Sequence, residues 1–240
     1  TKRFTIQPPP LTGIYKVPVS GSLFAWEPEK DIRQAVKDLD ELRSNCLVRQ
    51  LDGGYLMPGF VDLQVNGGGG VMFNDDQSVA ALATIARAHA LTGTCALLPT
   101  LITDTPERSL AAIEAVASAI EKNLLGIIGI HLEGPHLSVS RKGAHDPHLV
   151  RPMSDQDLVM ICDAAKRLPN VMLTVAPESV TRDQVAILNK AGVIVSLGHT
   201  DADYATCSGY FDDGALYHPS VQCHEPAWQS GTRPCGGHFG

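Results

Sequence analysis

From Gly59 onward, hydrophobic and polar positions follow two alternating rhythms. Short runs dominated by Val, Ile and Leu occupy Gly59 to Val65, Cys95 to Ile102, Ile127 to Leu132, Val171 to Ala176 and Val193 to Leu197. Near-continuous apolar runs of this length predict strands covered on both faces. Between them the spacing widens to the helical period. In Ser78 to Leu91, the residues Val79, Leu82, Ile85, Ala86 and Ala90 fall on one stripe. Helix starts are marked by capping residues: Thr105 before Pro106, Ser154 ahead of Leu158, and Thr181 ahead of Gln184. The last of these helices stops at Gly192 after Lys190. Repeated β-then-α units predict an α/β fold with a parallel sheet.

Five such units suit either an open, doubly wound sheet or part of a (β/α)8 barrel. No Gly-x-Gly-x-x-Gly follows the first strand, and there is no Walker motif. The run Gly67 to Gly70 leads into Val71-Met72-Phe73, which does not read as a phosphate-cradling helix start. Polar residues stand at several strand ends: Asp62 and Gln64, Glu133, Glu178 and His199. That pattern favours the barrel, whose active site collects residues from the carboxyl ends of many strands. A complete barrel takes about 250 residues. With the first strand near Gly59, about five of the usual eight β/α units are expected here. Such a partial barrel leaves two open sheet edges.

Composition narrows the function classes. The chain has 240 residues, 44% of them hydrophobic, which is enough to bury a core. A net charge of −7 without a basic run argues against nucleic acid or an anionic membrane as partner. No apolar run reaches the ~18 residues of a membrane span, and no signal core opens the chain, so a cytoplasmic location is expected. The six cysteines, Cys46, Cys95, Cys162, Cys207, Cys223 and Cys235, lack regular spacing. They read as reduced thiols rather than as a disulfide framework or zinc knuckle.

The densest chemistry lies in His131-Leu132-Glu133-Gly134-Pro135-His136, at the end of a strand run. Glu133 is a candidate metal ligand; the alternatives are a helix-capping carboxylate or a partner for Lys142. His199 ends the fifth strand run and is a second candidate, since neutral imidazole is the commonest metal ligand; the alternative is a structural or solvated histidine. Gln64 is a weaker candidate, because an amide oxygen ligates less well than imidazole, and it suggests one metal rather than two. A hydrolytic site needs about three protein ligands and an open position for water. His218 and His224 lie where the third would fall. His145 can contact substrate or polarise a carbonyl; the alternative is a surface loop histidine. Arg141 and Lys142 can attract an anionic group or simply be solvated.

Several segments together carry a resemblance. Pro58-Gly59-Phe60-Val61-Asp62-Leu63-Gln64-Val65-Asn66-Gly67, His131-Leu132-Glu133-Gly134-Pro135, Lys142-Gly143-Ala144-His145, Val175-Ala176-Pro177-Glu178 and Gly198-His199-Thr200 resemble the N-acetylglucosamine-6-phosphate deacetylases of the amidohydrolase superfamily. The likeness runs from about Leu51 to Gly214. It implies a (β/α)8 barrel of the metal-dependent hydrolase type, with residues 58–214 as the partial barrel and residues 1–57 as part of a small β-domain. It implies that Glu133 and His199 hold a divalent metal, zinc first and iron, manganese or cobalt as alternatives, with Gln64 near it. It places Gly134 and His145 against a phosphorylated amino-sugar substrate, with His145 also in a catalytic role. It further implies amide hydrolysis to glucosamine 6-phosphate and acetate, and a homodimer.

Beyond Gly214 the likeness stops. The family continues with Thr-His-Leu-Phe-Asn-Ala-Met, whose His is the third ligand, then an Arg-Glu-Pro-Gly segment and later a general acid/base Asp. Here the chain reads His218-Pro219-Ser220-Val221-Gln222-Cys223-His224-Glu225 and on to Cys235. Written in suitable synonymous codons and read one base later, His218 to Cys235 becomes Thr-His-Leu-Phe-Asn-Ala-Met-Ser-Pro-Leu-Gly-Asn-Arg-Glu-Pro-Gly-Leu-Val. Residues 215–240 are therefore expected to be an out-of-frame tail. The shift falls between about Tyr204 and His218, and the chain as written is expected to be catalytically impaired. A non-catalytic remnant and a related amidohydrolase acting on another N-acyl sugar are the alternatives.

Overall fold

The computed structural model describes Tyr15–Lys16, Ala25–Trp26 and residues 59–217. The chain divides into two compact units, Thr1–Gly59 and Phe60–Gly240. In the first, β1 (Tyr15–Lys16) pairs antiparallel with β2 (Ala25–Trp26).

The second unit alternates strand and helix. Its elements are β3 (Phe60–Val65), a short hairpin β4 (Gly67–Gly68) and β5 (Val71–Met72), α1 (Val79–Ala90), β6 (Thr94–Ile102), α2 (Pro106–Glu121), β7 (Ile130–Glu133), α3 (Asp155–Arg167), β8 (Val171–Val175), α4 (Arg182–Lys190), β9 (Ile194–Leu197), α5 (Tyr204–Asp212) and β10 (Leu216–Tyr217). A 3-10 turn, Val139–Arg141, follows β7.

Six strands form one sheet in the order β3-β6-β7-β8-β9-β10, and every pairing is parallel. Each new strand is added on the same side of the last. A doubly wound sheet reverses its order at a switch point; this one never does. The monotonic order is that of a (β/α)8 barrel, and the sheet is a partial barrel. Among the described residues β3 and β10 do not pair with each other.

The helix starts follow from local chemistry. Ser78, Thr105, Ser154 and Thr181 each accept a hydrogen bond from a backbone N–H in the first turn. Asp157 and Gln184 reach back to complete capping boxes at α3 and α4. The tetraglycine run forms the β4–β5 hairpin and cradles no helix. The helix α5 has weak apolar periodicity, and its capping residue Asp203 accepts from Thr206.

The sheet has two unlike faces. Leu101, Leu132, Leu173, Val175, Val195 and Leu197 alternate onto the helix side and make the core with α1 to α4. On the other face, Thr100 stands level with His131, and Glu133 is level with Ile102 and Thr174. Thr174 is in turn level with Ser196. Thr100, His131, Thr174 and Ser196 are buried. The inner face is thus a polar layer, and the candidate chemistry sits at its carboxyl end.

Candidate active site at the carboxyl end of the sheet

Glu133 closes β7 at 4% exposure, and three side chains converge on it. The Nε2 of His199 lies 2.8 Å from its Oε1, and the Gln64 amide donates to Oε2 at 2.9 Å. His145 Nε2 stands 3.7 Å from Oε1. The alternative partner Lys142 instead reaches the Gly143 carbonyl, and Arg141 makes a forked pair with Asp201.

His199 follows β9 with φ at 50°, a left-handed conformation uncommon for a residue with a side chain. Surrounding bonds hold it there. Its carbonyl accepts from Ser138 N at 3.0 Å, and Glu178 ties down the next two residues through Thr200 Oγ1 and Asp201 N. Its Nδ1 faces the Arg141 carbonyl at 2.9 Å.

His145 comes from the loop after the 3-10 turn. It is 3% exposed and not a surface histidine. Its Nδ1 contacts Thr103 at both Oγ1 (2.7 Å) and the backbone N–H (3.3 Å). The His145 and His199 rings meet edge-on, 4.6 Å between centroids. A cavity of about 380 Å³, lined among others by Asn66, Met72, Glu133, His145 and His199, opens over the cluster.

The electrostatics follow from this packing. Burial alone pushes the Glu133 carboxyl up, but the His145 and His199 rings turned toward it outweigh burial and hold it well below the usual carboxylate range. The hydrogen bond that His199 donates to Glu133 in turn raises His199, against its partial burial.

One carboxylate oxygen and one nitrogen from each of His145 and His199 lie within 4.8 Å of one another. A buried carboxylate beside an imidazole nitrogen, Glu133 and His199 Nε2, offers donors that suit a divalent ion of the zinc type. For His199 the fit is specific. A carbonyl can only accept, so Nδ1 carries a proton, and Nε2 is left to face the site.

The structure therefore brings Glu133, His145, His199 and Gln64 to one place. Gln64 presents its amide nitrogen to Glu133 Oε2 at 2.9 Å. Gly134 adjoins the site with φ at 83°, and its N–H is spent on the Thr174 carbonyl at 3.0 Å. His131 and His136, both in the same motif, lie outside the cluster. His131 sits one layer below Glu133, bonded to Thr174 Oγ1 and the Leu63 carbonyl. His136 is buried against the Arg151 carbonyl, and burial lowers its pKa. His218 and His224 lie outside the described residues. Thr103 was not among the sequence candidates; its place after β6, level with the residue following Glu133, was the available signal.

Residues 55–222 match the amidohydrolase family. An N-acetylgalactosamine-6-phosphate deacetylase of Shewanella sp. (strain ANA-3) is 45% identical over 168 residues, covering 69% of this chain and 42% of that protein. An N-acetylglucosamine-6-phosphate deacetylase of Haemophilus influenzae is 34% identical over 187 residues, covering 78% and 49%. The crystal structure of N-acetylglucosamine-6-phosphate deacetylase from Pasteurella multocida superposes with a TM-score of 0.63 at 36% identity, covering 66% of this chain and 41% of that one. The chain spans less than half the length of these relatives.

Proposed function

Because the chain belongs to the amidohydrolase family, we propose that it carries the metal-holding part of a deacetylase acting on N-acetylglucosamine 6-phosphate. The products are glucosamine 6-phosphate and acetate. The observation that carries this reading is the convergence of Glu133, His199 and His145 at the carboxyl end of the sheet, within 4.8 Å of one another.

Glu133 and the Nε2 of His199 are the ligands. Gln64 orients the carboxylate, and the Arg141 carbonyl orients the imidazole. A divalent ion held there, zinc in the first instance, would supply an acidified water and a Lewis acid for the acetamide carbonyl. His145 directs its Nε2 toward the same space and stabilises the oxyanion that develops on the acyl oxygen. Gly134 helps to shape the floor of the substrate site. Amide cleavage also needs a group that takes a proton from the water and delivers it to the leaving amine. The resemblance assigns that step to an Asp downstream of the matched region. A cytoplasmic location and a homodimer are part of the same proposal and rest on the resemblance alone.

The third ligand belongs to the strand after β9, and a register argument supports its place in the shifted reading frame. β10 pairs parallel with β9 so that Tyr217 stands level with Leu197. A strand continued two residues in that register reaches the level of His199. The shifted frame reads Thr-His at positions 218 and 219, which puts its histidine at that level. The tail 215–240 is accordingly proposed to be out of frame.

The test is to resequence the coding DNA from codon 190 onward and to express both the chain as written and the frame-restored protein. The restored protein is expected to release amine from N-acetylglucosamine 6-phosphate. The 240-residue chain is expected to be slower by roughly a thousandfold or more, the usual scale for losing part of a catalytic unit. Family-like turnover by the chain as written defeats the frame proposal. No turnover by the restored protein defeats the deacetylase reading. The 45% identity to a galactosamine-type relative favours one second reading, the N-acetylgalactosamine 6-phosphate isomer. Running both sugars with the restored protein separates the two by kcat/KM.

A further inference from the structure

The Nδ1 atoms of the two histidines face groups whose hydrogen-bonding directions are fixed and opposite. At His199 the neighbour of Nδ1 is a carbonyl, 2.9 Å away at Arg141. A carbonyl only accepts, so Nδ1 must carry a proton, and in the metal-free chain Nε2 also faces an acceptor, the Glu133 carboxylate at 2.8 Å. At His145 the neighbour is the backbone N–H of Thr103, 3.3 Å away. A backbone N–H only donates, so Nδ1 must present its lone pair. The Thr103 hydroxyl reinforces this, because its Oγ1 lies 2.7 Å from the same nitrogen. The hydroxyl's other acceptor, the Glu133 carbonyl, is farther away at 3.4 Å.

We infer that Thr103 is a positioning residue that fixes the proton of His145 on Nε2. His145 is thereby a hydrogen-bond donor into the cavity and not a metal ligand. The place of the proton stands on this chain's own hydrogen bonds; the group that receives it, the acyl oxygen, rests on the deacetylase reading. An imidazole whose Nε2 carries the proton has no lone pair there for a metal. Of the three residues clustered within 4.8 Å, two ligate and one donates.

Gly134 supports the assignment independently. A Cβ at that position would come within 2.3 Å of Thr103 Oγ1. The absent side chain keeps the space in which the hydroxyl meets His145. Thr103 is itself buried, 6% exposed.

The test reads the proton directly. The 240-residue chain is labelled with 15N-histidine and studied by long-range 1H–15N correlation at about pH 8.5, where an ordinary imidazole is neutral. His145→Gln and His199→Gln assign the two rings. The expected pattern differs at Nδ1: in His145 the proton is on Nε2 and Nδ1 is bare, whereas Nδ1 of His199 carries a proton whether or not Nε2 does. In Thr103→Val the Nδ1-protonated share of His145 is expected to rise by about fivefold, the weight of one net hydrogen bond, and Thr103→Ser is expected to restore it. Added zinc chloride is expected to move the Nε2 resonance of His199 and leave the His145 tautomer intact. An Nδ1-protonated His145 in the unsubstituted chain overturns the inference, as does loss of its Nε2 proton on adding zinc. An unchanged tautomer in Thr103→Val overturns the part given to the hydroxyl. Failure of the deacetylase reading shows elsewhere, as absent amine release by the frame-restored protein, and leaves the tautomer result standing.

Discussion

Strands β8 and β3 are both rich in apolar residues, yet they occupy opposite environments. Every residue of β8 is buried, between β7 on one side and β9 on the other. In β3, Phe60 is 64% exposed, Val61 58% and Leu63 49%. Among the described residues its one strand neighbour is β6. Composition decides that a segment becomes a strand; position in the sheet order decides whether burial rewards it. The two strands should therefore answer mutation very differently.

The largest contrast is expected in the centre. Leu173 is fully buried in β8, and Leu173→Ala should destabilise by about 2–5 kcal/mol in urea unfolding, from lost burial plus a cavity. A loss under about 1 kcal/mol would mean that the centre is no better packed than the edge.

The centre also carries the buried charges, which makes its stability depend on pH. His199 is raised, chiefly by its hydrogen bond to Glu133, so its contribution is complete below the ordinary imidazole range and is lost as pH rises through the raised value. Glu133 is depressed by its histidine partners despite burial. Its contribution is present above the ordinary carboxylate range and is lost as pH falls toward the lowered value. The pair thus adds most between about pH 5 and 6.5. Metal-free chain should lose part of its melting temperature between about pH 5.5 and 8.5, and His199→Gln should flatten that difference. With His199 as the proposed ligand, zinc should reverse the trend, because a ligating Nε2 must give up its proton and binding then tightens as pH rises.

A smaller effect is expected at a helix start. Ser154→Ala removes the acceptor of the α3 capping box and should cost about 1 kcal/mol. The smallest is expected at the edge. Leu63→Ala should change stability by less than about 0.5 kcal/mol. A cost above about 1.5 kcal/mol there would show that the exposed side of β3 is covered in solution, and the comparison with β8 would fail.

Local signals were the legible ones. Thr105, Ser154 and Thr181 were readable as caps because a cap is settled within four residues. Sheet order was legible only indirectly: periodicity does not say which strands are neighbours, but polar strand ends favoured the barrel, and the pairing without a switch point bears that out. Glu133 and His199 were legible as polar groups at strand ends, but the 2.8 Å contact between them spans 66 positions of sequence. His145 looked like a loop residue, and only the fold buries it. The helix α5 was missed because Gly209 interrupts a segment whose apolar stripe is already weak. Thr103 was not legible for a different reason: its importance lies in the direction of one backbone N–H, which no side-chain pattern records.

The unbroken strand order has one more consequence, for synthesis on the ribosome. Each strand lies beside the one made just before it, so the sheet can grow by addition to a finished edge as the chain emerges. Nothing already built must open to admit a later segment. A change of reading frame late in such a gene leaves the instructions for the earlier strands untouched. The loss falls on the next edge and on the chemistry that edge would have delivered.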